Sequence, residues 1–221
     1  MATTTNTEDR EAAARTVIQI ISRNEELCTT RVAVIGSLAI QRYLPTASVT
    51  HELLEIFVDG TRNHPASGPD TFKNAVLEDT KDGIKFSPGP KNKLIVARTG
   101  VKVQFCYRKT IHFTPTSAMP ASLAASRPEL PYASPTDLLV ISLVSLKKVE
   151  AQEIPQALQD ADNANKLASK LKQNEEGTSR RRPHIVLTRE QFAAFHATLT
   201  DSVERYTDMT AQDWRLTFIC E

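Results

Sequence analysis

The chain has 221 residues, 40% of them hydrophobic and 24% charged, with 27 Lys+Arg against 26 Asp+Glu and a formal net charge of +1. Such a chain can bury one substantial core, or one domain with a small helical appendage, and its charge gives no long-range pull toward nucleic acid or an anionic membrane. Its three cysteines (Cys28, Cys106 and Cys220) are odd in number and far apart, which argues against a zinc site or a disulfide framework and for reduced thiols in a soluble, cytoplasmic protein. The polar, acidic start lacks the apolar core of a leader peptide, and no apolar run approaches the ~20 residues of a membrane span.

After a polar lead of seven residues, Glu8 to Glu26 has helical spacing, with Ala13, Val17, Ile20 and Ile21 on one face and Arg10, Glu11 and Arg15 elsewhere. Arg31 to Ile35 is short, apolar and β-branched, a buried strand. Gly36-Ser37 follows, and Ser37 to Leu44 reads as a helix stopped by Pro45. Leu53 to Val58 is the next strand. Asp59 to Asp70, with two prolines and two glycines, reads as a loop, and Thr71 to Asp79 as a helix.

Ile84 to Phe86, Leu94 to Arg98 and Val101 to Tyr107 read as successive strands, the last two joined by a hairpin at Thr99-Gly100. Ile111 to Phe113 extends the sheet, and the Pro/Ala/Ser-rich stretch Thr114 to Pro135 is an irregular crossing. Ser134 and Thr136 offer caps to an apolar helix over Asp137 to Glu150. Ile154 to Leu171 is a second amphipathic helix, Lys172 to Pro183 a charged linker, and Thr188 caps a helix toward Tyr206. The chain closes on Trp214 and the apolar run Leu216 to Ile219, read as a core anchor before a partner surface. This order predicts an α/β protein: a mixed twisted sheet flanked by helices over 8–115, and a helical C-terminal portion over 132–221 packed on that core.

Three segments, in their order, resemble the nucleotidyltransferase superfold, in particular its divergent abortive-infection-toxin-like and fungal branches. They are VIGSLAIQRYL at Val34 to Leu44, the strand around Ile56 that follows Thr50, and ASPTDLLVISLVSLKK at Ala133 to Lys148. QDADNANKLASKL resembles an acidic helix of the same relatives, and the matches together span Val17 to Leu171. The resemblance implies that Gly36 and Ser37 form a phosphate-binding strand-to-helix turn, for which a tight turn with a helix cap is the plainer account.

Nucleotidyl transfer in that family needs divalent ions held by carboxylates, two of them two residues apart on one strand and a third on a neighbour. The Thr-x-Asp-x-Asp pattern falls on Thr50, Glu52 and Leu54. Shifted by one, it puts Leu53 first and Glu55 second. Neither register gives a same-face pair. The third position falls on Gln104, which brings no charge to an ion, and Ser142 stands where relatives carry Lys.

The reading is therefore a catalytically degenerate member, a pseudoenzyme that binds a nucleotide, another small ligand or a protein partner beside Gly36 and Ser37. In the alternative, Glu52, Glu55 or Asp59 rebuild the ion site, and the protein uses Mg²⁺ and a nucleoside triphosphate to transfer a nucleoside monophosphate to a protein, RNA or small molecule. A third reading is a structural module, a homo-oligomer built through the C-terminal aromatic tail. His51, the Arg180-Arg181-Arg182 run and the Asp160/Asp162 pair, which do not share a helix face, read as solvated side chains.

Overall fold

The computed structural model describes residues 6–45, 47, 53–59, 84–86, 94–96, 98–146, 154–176, 185–198, 207 and 211–220. The chain forms two compact units, each gathered from three stretches: 1–39, 51–108 and 117–133 in the first, and 40–50, 109–116 and 134–221 in the second.

The first unit opens with α1 (Thr7–Arg23), capped by Asn6, whose side chain accepts from the Glu8 amide. A six-stranded sheet follows. In chain order its strands are β1 (Arg31–Ile35), β2 (Leu53–Asp59), β3 (Ile84–Phe86), β4 (Leu94–Val96), β5 (Lys102–Tyr107) and β6 (Met119–Pro120). In space the order is β3-β4-β5-β2-β1-β6. β1 and β2 are antiparallel, β2 and β5 parallel, and the β3-β4-β5 edge antiparallel, so the sheet is mixed. The helix α2 (Gly36–Tyr43) leaves β1 without a linker.

Alternation decides what each sheet face carries. Val32, Val34, Leu54, Ile56, Val58, Val103 and Phe105 share one face and all are buried. Each such side chain contributes roughly 1.5–3 kcal/mol when taken out of water. The other face holds the polar residues of these strands (Arg31, Glu55, Asp59, Lys102 and Gln104) beside buried Ala33, Ile35, Phe57 and Cys106.

The stretch read as an irregular crossing is more ordered than its composition suggests. Met119 and Pro120 pair with Val32 and Arg31, and α4 (Ala121–Ser126) then packs against α1. A proline is tolerated there because β6 is the outermost strand. The Val34 amide and carbonyl are next taken up by Pro131 and Ala133. The expected strand at Ile111 to Phe113 is instead a helical turn, α3 (Arg108–Ile111), ended by His112 at φ +67°. A left-handed residue cannot continue an extended run.

The second unit contains α5 (Pro135–Ser145), α6 (Ile154–Glu176), β7 (Ile185–Leu187), α7 (Arg189–Thr198), α8 (Ala211–Thr217) and β8 (Phe218–Cys220), with β7 and β8 paired in parallel. Trp214 is buried, stacks on Phe218 at 5.7 Å and donates its indole N–H to Thr207. The Trp214–Phe218 pair is thus interior, as the core-anchor reading has it, while Ile219 is exposed. Asp160 accepts from Ser145 and Asp162 pairs with Lys166 on the surface. The helix expected at Thr71 to Asp79 and the arginine run at Arg180 to Arg182 lie outside the described residues. No described helix is long and apolar enough to cross a membrane.

One carboxylate organises this unit. Asp137, fully buried, accepts from the Ser134 amide and hydroxyl, the Thr116 amide and hydroxyl, and the Gln191 side-chain amide. Ser134 and Asp137 form a capping box on α5. Thr188 and Gln191 exchange the same kind of bonds at the start of α7, so Gln191 links one helix start to the other. Asp137→Asn turns one acceptor oxygen into a donor amid these donors. It should lower unfolding free energy by about 2–4 kcal/mol in urea denaturation. A loss within experimental error would show that the donors find other partners.

Candidate functional site

The site begins where β1 stops. Gly36 has φ +67°, a conformation that L side chains rarely adopt. A Cβ built on it would lie 1.8 Å from Glu55 Oε2. The left-handed angle favours glycine whatever the space, and a side chain here would also push the flexible end of Glu55 aside.

Glu55 reaches this place through strand register. It lies opposite Ile35 on antiparallel β1 and opposite Gln104 on parallel β5, one row of three across the sheet. The next row toward the start of β2 is Leu53 with Lys102, and the next away from it is Phe57 with Cys106. The end of β1 and the beginnings of β2 and β5 therefore coincide at one sheet end. Gly36, Ser37, Leu53, Glu55, Lys102 and Gln104 gather there.

Behind Glu55, the Cys106 thiol donates toward Glu55 Oε1 at 3.9 Å. Burial holds this thiol well above its ordinary pKa, and the charge of Glu55 and the hydrogen bond to it add to the rise. It stays protonated at neutral pH and so remains a donor. None of the three cysteines is in a disulfide.

In front lies Arg10. Its guanidinium Nη2 donates to Ser37 Oγ at 2.5 Å and to the Leu53 carbonyl at 3.2 Å. The residue is only 2% exposed, although a charged residue early in α1 reads as solvent-facing. The signal was its spacing. Arg10, Ala13, Ala14, Val17 and Ile21 form one buried stripe of the helix, with Arg10 at its head. Cys106 gave no such signal, because its contact with Glu55 depends on a parallel pairing that local sequence does not specify.

The residues singled out from sequence separate as follows. Gly36, Ser37, Glu55 and Gln104 come together. Asp59 shares the face of Glu55 but stands four residues along the strand, about 13 Å away, opposite Arg31. Asp59 and Glu55 cannot hold one ion. Thr50, His51 and Glu52 lie outside the described residues.

Two neighbouring strands thus offer, on the face of Glu55, leucine at 53, glutamate at 55 and glutamine at 104. Leu53 has no donor atom and Gln104 has no charge. This described set does not fit a divalent ion, which takes several oxygen ligands with carboxylates among them. Among the described residues, no group of three or more His, Cys, Asp and Glu side chains is arranged to hold a metal.

No protein-family model matches the chain, and no curated protein matches it. A solved structure that resembles it is the solution structure of the antibiotic-resistance factor ANT(2'')-Ia, at 8% identity and a TM-score of 0.36, covering 76% of this chain and 94% of that one. A likeness of that size decides neither fold family nor function.

The tight approach of Glu55 to Gly36 is directly measurable. Gly36→Ala should cost about 2–4 kcal/mol of stability, of which the left-handed angle accounts for about 1–2 kcal/mol. In a Glu55→Ala background only the angle's share should remain, giving a clear coupling in a double-mutant cycle by urea denaturation. An identical cost in both backgrounds would mean that Glu55 does not occupy the space beside Gly36.

Proposed function

We propose that this chain is a divergent nucleotidyltransferase-fold protein without metal-dependent catalysis, which binds a phosphate-bearing ligand, a nucleotide first among them, at the Gly36-Ser37 turn. The observation that carries the reading is the row across the sheet. A strand ending in Gly-Ser and running into a helix stands beside a strand and a further neighbour on which the family presents its carboxylates. Here those positions read Leu53, Glu55 and Gln104. One carboxylate out of three supports loss of the ion site. The surviving Gly-Ser turn supports retention of an anion site at the Ser37 hydroxyl and the first amides of α2, beside the space at Gly36 that the Glu55 carboxylate takes.

The same row bears on the competing reading, an enzyme transferring a nucleoside monophosphate. Glu55 supports it, but its described neighbours add no second carboxylate and Asp59 stands too far along the strand. The chain's own residues would then bind and orient a ligand rather than activate one. Ser37 would donate to a phosphate oxygen, and Lys102, exposed beside Leu53, would add a cation at the mouth.

Isothermal titration with ATP, GTP, CTP and UTP, each with and without Mg²⁺ or Mn²⁺, tests this reading. We expect binding of at least one nucleotide, with an affinity that metal changes by less than about threefold. Binding that strengthens tenfold or more with metal would restore the enzyme reading. No binding of any of the four would end the anion-site reading.

A further inference from the structure

We draw no further inference here: the strongest candidate, the outward face of the β7–β8 pair, where Val186 and Ile219 stand side by side in register and exposed, is an apolar surface patch, and nothing in the structure shows what covers it.

Discussion

The carboxylate of Glu55 lies in the space that a side chain on Gly36 would need, and much of the first unit follows from that fit. The contact requires β1 and β2 to pair in the register that sets Ile35 opposite Glu55. A slip by one residue would turn Glu55 to the face of buried Leu54, Ile56 and Val58, where an unpartnered charge is costly. It also requires a left-handed residue between strand and helix, so that α2 starts at once and carries Ser37 into reach of Arg10. Register, turn and helix start are therefore one constraint seen from three elements.

That constraint gives the site its chemical character. Parallel β5 brings Gln104 beside Glu55 and Cys106 behind it, so on that side its carboxylate meets neutral hydrogen-bonding groups. A protonated thiol donating to one of its oxygens suits a carboxylate held in place more than one shared with an ion. Arg10 reaches the same corner from α1. The result, among the described residues, is a polar corner with Arg10, Lys102, Glu55, Gln104, a serine and a glycine, on a sheet whose opposite face is apolar but for Tyr107. The second unit is organised on a similar economy, in which the single buried carboxylate of Asp137 satisfies donors from two helix starts and the Thr116 backbone.

The parts of this arrangement that were legible in the sequence are those set by short-range physics. The β-branched runs at Val32 to Ile35 and Ile56 to Val58 read as strands because their pattern allows little else, and Gly36 read as the turn because the helix follows so closely. The α/β class with a mixed sheet flanked by helices followed from that order. Arg10 was placed with the solvent-facing residues because charge outweighed spacing, although it falls on the same helix face as buried Ala13, Ala14 and Val17. Met119-Pro120 and Ala121 to Ser126 were taken for irregular chain because proline masked an edge strand and the helix is too short for a periodic signal. The choice between Glu52 and Glu55 turned on a one-residue register: Glu55 stands in the row with Ile35 and Gln104, and Glu52 lies outside the described residues.

The central claim is that the corner at Gly36 holds an anion without a metal ion. A crystal structure of the protein with a non-hydrolysable ATP analogue and Mn²⁺, recorded with anomalous scattering from manganese, tests it most directly. The account predicts phosphate density against the Gly36 and Ser37 backbone, with Arg10 still on Ser37 and no anomalous peak beside Glu55. A manganese peak coordinated by Glu55 and the phosphates would contradict it and make this corner a metal-dependent centre.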